Sequence, residues 1–415
     1  MRLLINNIKE LVGIDPNNRP CLRGAEMMQL HTLSNAWLYI KDEIIAGYGS
    51  MNQPETQIPD GGDLQKIDAT GKMVFPSFCD SHTHLVYAGS RELEYVDKIK
   101  GLSYEEIAKR GGGILNSAQL LHTTSEEELY NAAWQRLEEI KFMGTGAVEI
   151  KSGYGLTVED ELKMLKVIRR LRENSALTIR ATFLGAHTFS TEYKDHPDDY
   201  VELILNEMIP QIAAEDLADF IDVFCDRGFF TIQQTEQILM AGMKHGMRAK
   251  IHANELDYSG GIQVGVKYEA LSVDHLECTG SPEIISLLSS DAMPTLLPGA
   301  AFFLGMPYAP ARKMIDAGLG VALASDFNPG SSPSGNMQLI LSMGCVKYKM
   351  LPEEAINAVT INTAYAMGVS DELGSIAVGK RANLFITKPM TTYAFMPYYY
   401  GHNKIETVIL NGKIQ

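Results

Sequence analysis

The chain has little cysteine, no long apolar run and no excess of positive charge, and each shortage excludes a class of protein. Its five cysteines are scattered over 415 residues without a Cys-x-x-Cys pair, a pattern that indicates reduced thiols in the cytosol. No stretch approaches the roughly 18 apolar residues of a membrane span. The apolar run at the N-terminus is too short for a signal peptide. We therefore expect a cytoplasmic protein with no membrane partner.

Acidic residues outnumber basic ones, 51 to 36, which gives a formal net charge of −15. Nucleic acid and anionic membrane surfaces would repel such a chain, so we expect neither as a partner. A small anionic substrate would need local basic side chains to offset the global field. Hydrophobic residues make up 45% of the chain, as in folded globular proteins, and the length allows one large domain plus a smaller one.

The two ends of the chain share a β-rich texture. Short strand-like runs separated by turn residues occupy residues 2–7, 36–40, 43–48, 67–74, 383–387 and 407–413. Because both ends have this texture and the middle differs, we predict a small β-sandwich domain built from residues 1–75 plus 375–415. The domain inserted between them covers residues 76–374.

The middle of the chain alternates strand and helix patterns. Residues 235–243 and 281–288 are two examples of the helical pattern. The run 73–81 is the first strand candidate, and seven more follow at 146–150, 178–184, 220–224, 248–251, 270–274, 292–297 and 320–324. Eight β/α units over about 250–300 residues match the size of a (β/α)₈ TIM barrel, which is the α/β fold we predict.

Chemically active side chains follow the predicted barrel strands, where such a barrel places its active site. His82 and His84 come after the first strand, spaced so that both point to the same face and can reach one metal ion. The later strands are followed by Lys151 with Tyr154, His187, Cys225-Asp226-Arg227, His252 with Glu255, His275, Pro298-Gly299 and Asp326. Each histidine alone could be a hydrogen-bonded core residue, whereas their convergence on one barrel mouth indicates a metal site.

This pattern resembles the amidohydrolase superfamily, and longer segments are similar to one family within it, the imidazolonepropionases of histidine degradation. The segments are 80–91 (DSHTHLVYAGSR), 110–114, 149–156, 183–188 and 325–333 (SDFNPGSSP). Two positions depart from the pattern: Ser77 stands where the superfamily usually has glycine, and Asn254 stands where many relatives have aspartate. Neither position holds a metal ligand.

The resemblance implies that His82, His84, His252 and Asp326 are the metal ligands. Three imidazoles and a carboxylate suit Zn²⁺ and also Fe²⁺ or Fe³⁺. Superfamily members with two metals use a carboxylated lysine after the fourth strand, and this chain has Cys225-Asp226-Arg227 there. We therefore expect one zinc or iron ion per chain.

The implied activity is metal-dependent hydrolysis of the cyclic amide of 4-imidazolone-5-propanoate to N-formimidoyl-L-glutamate, the third step of histidine degradation. Asp326 would take the proton of water and pass it to the leaving nitrogen, and His275 would stabilise the oxyanion. Glu255 would hydrogen-bond the water or a ring N–H. The alternative for Glu255 is an anchor for a ligand histidine.

Substrate contacts follow from the same resemblance. Arg91 is the candidate for a bidentate grip on the propionate, the alternative being a surface loop residue. Tyr154 and His187 would hydrogen-bond the substrate, and the loop carrying Asn328, Gly330 and Ser331 would cover the amino-acid end of the product. The Gly111–Gly113 run could present backbone N–H groups to an anion or be a flexible turn. We expect a homodimer.

Two other readings use the same sequence features. An aromatic deaminase acting on a purine or pyrimidine would have the same metal ligands, but Arg91, Tyr154 and the loop after Asp326 favour a substrate with an acidic tail. A non-catalytic assembly protein on this scaffold would be expected to lose ligands, and all four are present. Metal analysis of the purified protein separates this last reading from both enzymes.

Overall fold

A computed structural model describes residues 2–52, 61–102 and 112–415. The strands are β1 (Arg2–Ile14), β2 (His31–Lys41), β3 (Ile44–Ser50), β4 (Leu64–Asp68), β5 (Met73–Pro76), β6 (Phe78–Thr83), β7 (Thr145–Lys151), β8 (Thr178–Ala186), β9 (Phe220–Cys225), β10 (Arg248–Ala249), β11 (Ile251–Ala253), β12 (Ser272–His275), β13 (Met293–Leu296), β14 (Ala322–Leu323), β15 (Leu384–Thr387), β16 (Ile405–Leu410) and β17 (Lys413–Ile414).

The α-helices are α1 (Glu92–Ile99), α2 (Ile114–Thr123), α3 (Glu126–Phe142), α4 (Val158–Asn174), α5 (Pro197–Leu203), α6 (Ile209–Ala214), α7 (Ile232–Lys244), α8 (Gly261–Lys267), α9 (Ser281–Leu288), α10 (Pro298–Leu304), α11 (Ala311–Asp316), α12 (Met337–Tyr348), α13 (Pro352–Ala358), α14 (Ile361–Ala366) and α15 (Phe395–Tyr398). Short 3₁₀ turns cover Gly24–Met28 and Thr191–Tyr193, and a π-helical turn, Ile204–Met208, joins α5 to α6. Within the described ranges, none of these helices has the length and apolar character that crossing a membrane requires.

Both ends of the chain meet in one sheet, with strand order β17-β16-β15-β5-β1-β2-β3 and β4 paired to β1. The backbone N–H of Met73 donates to the Thr387 hydroxyl, 314 residues later, at 3.0 Å. The sheet packs its own apolar cluster, in which Ile5, Leu38 and Ile386 are buried. The division of the chain at 75/76 and 374/375 stays a prediction.

The barrel sheet runs β6-β7-β8-β9-β11-β12-β13-β14, and every pair in it is parallel. β10 pairs with β9, and β11 continues the same barrel position after Lys250. The barrel is closed by an isolated parallel bridge between Thr83, at the end of β6, and Phe327, four residues after β14. Asp80 strengthens this closure because its carboxylate accepts from the backbone N–H of Ser325 at 3.0 Å and from the Ser325 hydroxyl at 2.5 Å.

The run 73–81, expected as one strand, is divided between the two sheets at Ser77. β5 belongs to the terminal sheet and β6 to the barrel. Pro76 has no N–H to continue a ladder, and the N–H of Ser77 donates to Asn383 O while that of Phe78 donates to Gly144 O, both at 2.9 Å. The sequence pattern could not reveal this break, because both halves are apolar and buried.

A second difference lies at 67–74, which the sequence predicts as one strand. The structure has a turn between β4 and β5. The Asp68 carboxylate accepts from both the N–H and the hydroxyl of Thr70, and Gly71 has a φ of +76°, a conformation that favours glycine. All five cysteines are free, as expected.

Candidate active site

The barrel fold brings the predicted metal ligands together at the carboxyl ends of its strands. His82 lies in β6 and His252 in β11, while His84 directly follows β6 and Asp326 comes three residues after the end of β14. All four side chains are buried. The ring centroids of His82 and His252 are 4.5 Å apart, and those of His82 and His84 are 5.4 Å apart.

The side chains of His82, His84, His252 and Asp326 form what we call the metal cluster. Their donor atoms fit a single metal ion. One nitrogen from each of His82, His84 and His252 lies within 4.8 Å of the others. Oδ1 of Asp326 is 3.6 Å from Nε2 of His82 and 3.7 Å from Nε2 of His84. Nε2 of His82 and of His252 are buried without a hydrogen-bond partner among the described residues, a costly state that a bound cation relieves. Three imidazoles and a carboxylate are a donor set for zinc or iron.

Two buried aspartates stand behind the histidines. Oδ2 of Asp274 lies 2.6 Å from Nδ1 of His82, and Oδ2 of Asp222 lies 3.0 Å from Nδ1 of His252. Burial alone would raise the pKa of Asp222, but the neighbouring His252 and Lys151 outweigh it and hold this pKa below its usual range. Asp222 is therefore an ionised carboxylate facing the ligand imidazole.

Glu255 and His275 line the same cavity as the predicted metal ligands His84, His252 and Asp326. Nδ1 of His275 is 3.6 Å from Oε2 of Glu255 and 3.7 Å from Oε2 of Glu277. Burial raises the pKa values of Glu255 and Asp326, and the charge of Asp326 adds to the effect on Glu255. A bound cation opposes this rise, because it favours the ionised form of a nearby carboxylate.

The backbone is strained at three of these strand ends. Asn254, His275 and Asp326 have φ values of +55°, +82° and +52°, a region that residues other than glycine rarely adopt. Such conformations persist where the surrounding structure enforces them, and they cluster at functional sites. At the ends of β11, β12 and β14 the direction of the side chain is therefore maintained at the expense of an unfavourable backbone conformation.

A cavity of about 730 Å³ opens in front of the metal cluster. It brings together the predicted substrate and catalytic residues, since its lining includes Arg91, Tyr154, His187, Glu255, His275, Asp326, Asn328, Gly330 and Ser331. His84 and His252 also face the cavity. The metal cluster thus forms the floor of a chamber large enough for a small organic substrate.

Contacts with Glu94 and Gly330 hold the guanidinium of Arg91 at the cavity wall. Its Nε and NH2 both lie 2.8 Å from Oε2 of Glu94. A Cβ on Gly330 would lie 2.1 Å from NH1 of Arg91, so the guanidinium packs directly on the bare backbone of the loop. Glu94 contacts Nε and NH2 and so occupies only some of the five N–H donors of the guanidinium.

The loop after Asp326 is ordered by its own side chains. Asn328 Oδ1 accepts from the N–H groups of Gly330 and Ser331, both at 2.8 Å. Asn328 Nδ2 donates to Asp326 O at 2.7 Å and to Ser331 Oγ at 2.6 Å. The Ser331 hydroxyl is also 3.1 Å from Oδ2 of Asp326. The amide of Asn328 therefore shapes the loop, and Ser331 connects that loop to the predicted metal ligand.

His187 is a neutral imidazole. Burial, followed by the nearby His252, lowers the pKa of His187 to about 3. Its Nδ1 lies 3.0 Å from Gly153 O; since a carbonyl accepts, Nδ1 carries the hydrogen. Nε2 is then a hydrogen-bond acceptor.

Sequence reasoning missed a second cation and an aromatic wall. Lys98 lines the cavity and donates from Nζ to Gly330 O at 3.2 Å. Phe302 and Phe303 line the same cavity, and Phe303 stacks on Tyr95 at 5.0 Å. Lys98 lies seven residues after Arg91, two helical turns along α1, and that spacing on one face was the available signal.

The predicted Gly111–Gly113 run is only partly within the described residues, since Gly111 lies outside them. The backbone N–H of Gly113 donates to both carboxylate oxygens of Glu94 at 3.1 Å. The N–H of Gly113 is therefore hydrogen-bonded to a carboxylate of the protein itself.

Known proteins match this chain over its whole length. The Amidohydrolase family pattern matches residues 73–415. Imidazolonepropionase from Christiangramia forsetii is 54% identical over 415 residues, which is 100% of both chains. The corresponding enzyme from Flavobacterium psychrophilum is 56% identical over 414 residues, again with 100% of each chain covered. The chain belongs to the imidazolonepropionase family. The resemblance to this family is thereby confirmed.

Solved structures at lower identity share the fold of this imidazolonepropionase-family chain. A 5-methylcytosine deaminase from Klebsiella pneumoniae matches with a TM-score of 0.73 at 18% identity, covering 100% of this chain and 97% of that one. An adenosine deaminase from Xanthomonas campestris with bound zinc matches with a TM-score of 0.70 at 14% identity, covering 99% and 92%. The predicted barrel with a separate sheet from both termini is confirmed.

Proposed function

We propose that this chain hydrolyses the ring C–N bond of 4-imidazolone-5-propanoate and releases N-formimidoyl-L-glutamate, at one zinc or iron ion held by His82, His84, His252 and Asp326. The observation that carries the proposal is one cavity with the metal cluster on its floor and Arg91 on its wall. It pairs a hydrolytic centre with a cation for an acidic tail. Family membership at 54–56% identity supports the same reaction.

The donor set accounts for one ion. When bound, the ion acts as a Lewis acid and lowers the pKa of a water molecule from 15.7 to roughly 7. β9 ends at Cys225 and is followed by Asp226 and Arg227. Superfamily members with two metals carry a carboxylated lysine at this place, and its absence here supports a single-metal site.

The remaining chemistry is proton placement. The oxygen of water adds to the ring carbonyl carbon, the ring C–N bond breaks, and a proton of the water ends on the leaving nitrogen. Asp326 carries this proton, with the Ser331 hydroxyl 3.1 Å from its carboxylate to fix its orientation. Glu255 orients the water or a ring N–H, and His275 stabilises the oxyanion.

Substrate orientation comes from the cavity wall. Arg91 binds the propionate, with Lys98 as a second cation on the same side. Nε2 of His187 accepts a hydrogen bond from a ring N–H, since its Nδ1–H is directed at Gly153. Tyr154 lies beside His187, with ring centroids 5.4 Å apart. The backbone at Gly330 and the Ser331 hydroxyl face the amino-acid end. We further propose a cytoplasmic location and a homodimer.

The direct test supplies freshly prepared imidazolonepropionate and follows its ring absorbance. We expect turnover that stops when a chelator removes the metal and returns when zinc or iron is restored. Ammonia release from aminated purines or pyrimidines is measured in parallel, because the deaminase alternative predicts it. Undiminished hydrolysis by protein shown to be free of metal would contradict the proposal.

Replacing Arg91 with alanine should weaken transition-state binding by about 2–4 kcal/mol, because a buried charge-assisted contact is lost. This corresponds to a fall in kcat/KM of roughly 30- to 1,000-fold. Arg91→Lys should recover only part of the loss, since a point charge does not reproduce the fork of the guanidinium. Steady-state kinetics of the three proteins measure the effect.

The matched control is Arg227→Ala. Arg227 follows barrel strand β9, is 78% exposed, and pairs with Asp257 at 3.0 Å, so its loss should leave kcat/KM unchanged. An Arg91→Ala enzyme with normal kcat and KM would mean that another group holds the propionate, and Lys98→Met would then be measured in the same way.

A further inference from the structure

Lys151 is a buried ammonium group in the interior of the barrel. Its side chain, at the end of β7, is 0% exposed. Nζ lies 2.7 Å from Oε1 of Glu149, 2.8 Å from Oδ2 of Asp222 and 3.8 Å from Oδ2 of Asp274. A charge in such a place is tolerated only when carboxylates surround it, and here they come from strands β7, β9 and β12.

Two of these carboxylates also face the metal cluster, through the same oxygen atoms that face Lys151. Oδ2 of Asp222 is 3.0 Å from Nδ1 of His252, and Oδ2 of Asp274 is 2.6 Å from Nδ1 of His82. One ammonium group therefore stands behind two carboxylate oxygens, and each oxygen stands behind one imidazole.

This arrangement determines which imidazole nitrogen is free for a metal. A neutral imidazole has one N–H and one lone pair, so an acceptor at Nδ1 leaves the lone pair on Nε2. Nε2 of His82 and both ring nitrogens of His252 are buried without a hydrogen-bond partner among the described residues. Nδ1 of His252 nevertheless contacts Oδ2 of Asp222 at 3.0 Å as an ion pair, which leaves Nε2 as the nitrogen directed away from the carboxylate. A carboxylate that turned away would release its imidazole to rotate, and a charge that holds both carboxylates prevents this.

We propose that Lys151 is a positioning residue for the metal site: by holding the carboxylates of Asp222 and Asp274 in place, it keeps the Nε2 atoms of His252 and His82 directed at one ion. The inference rests on the metal site proposed above. It assigns Lys151 no contact with substrate or with the reacting atoms.

A second buried lysine, Lys250, provides a control that distinguishes this positioning role from simple neutralisation of acidic groups. Lys250 is equally buried and bonds to the other oxygen of Glu149. Its further partners are the backbone oxygens of Ser81 at 3.1 Å and Ala366 at 3.2 Å. Lys250→Met thus removes the same charge from the same cluster, while Lys151, the ion-pair partner of the two aspartates, stays in place.

The experiment compares the zinc affinity of metal-free wild-type protein, Lys151→Met and Lys250→Met by competition with a chromophoric chelator. Lys151→Met should lose about 10- to 100-fold in affinity, the usual effect of removing support for metal ligands. Lys250→Met should stay within about threefold of wild type. Melting temperatures of the metal-free proteins report the loss of fold stability separately, and both variants should show one. Wild-type affinity in Lys151→Met, or an equal loss in Lys250→Met, would overturn the proposal.

A double variant covers the case in which Lys151→Met does not fold. Lys151→Met/Asp222→Asn removes one positive and one negative charge together, which limits the unpaired charge left behind. Its zinc affinity should be at most about tenfold below that of Asp222→Asn alone, because only the support that Lys151 gives through Asp274 remains to be lost once the Asp222 carboxylate is gone. A larger loss would mean that Lys151 acts by another route and would overturn the proposal. Wild-type protein that binds no zinc or iron would contradict the metal site itself.

Discussion

Replacing His252 with alanine should leave a folded protein that does not retain its metal and does not hydrolyse imidazolonepropionate. The variant removes one of three imidazoles from the donor set, and two imidazoles with one carboxylate hold zinc weakly. The fold should survive because the side chain lines a cavity, and the backbone N–H of His252, which donates to Asp222 Oδ1 at 3.1 Å, is unchanged.

Metal content after dialysis and a thermal unfolding curve measure the two halves of this prediction. His245→Ala is the matched control, since His245 is an exposed residue at the end of α7 and its loss should change neither value. Full metal occupancy in His252→Ala would remove His252 from the ligand set and require a different centre.

The second large effect is expected at Glu255 and His275, which act in the chemical step without holding the metal. Proton placement and oxyanion stabilisation each contribute about 10²–10⁴-fold in rate. Glu255→Gln and His275→Ala should therefore keep their metal and lose kcat by about that factor. Single-turnover kinetics with metal-loaded protein separate this loss from changes in substrate binding.

Two outcomes would change the assignment. Metal loss in either variant would make that residue a ligand and reopen the single-metal interpretation. Near-normal kcat with metal retained would reduce it to a structural group and leave Asp326 as the sole proton carrier. Glu236→Gln, which alters a carboxylate on α7 paired with Lys267, is the control for isosteric loss of a charge.

The ends of the barrel strands could be predicted because the repeating β/α pattern is local. Each apolar run is short, and the polar residue after it stands out, so the sequence alone places His84, His187 and Asp326 at one mouth. The parallel barrel makes this step reliable, since all its strands end on the same side.

What could not be predicted depends on distances across the barrel. In the sequence, Lys151 follows the second barrel strand, where no metal-bridging lysine is expected, and nothing in the sequence indicates a role for it. Its closeness to Asp222 and Asp274 arises across the barrel interior, since β7 pairs directly with neither β9 nor β12, and no local pattern specifies it. Lys98 and Phe303 meet above the cavity for a similar reason, because they come from helices about 200 residues apart in the chain.

The pairing of β5 with β15 has a consequence for the order of events during synthesis. A ribosome adds about 5–20 residues per second, so the 314 residues between Met73 and Thr387 take about 15–60 s. During that time β5 can pair with β1 but lacks β15 on its other side, and an open strand edge is a template for wrong pairing. The barrel strands can associate earlier, because consecutive β/α units neighbour each other. The terminal sheet is therefore completed last, when β15, β16 and β17 have been synthesised, and the edge of β5 is the part that most needs protection until then.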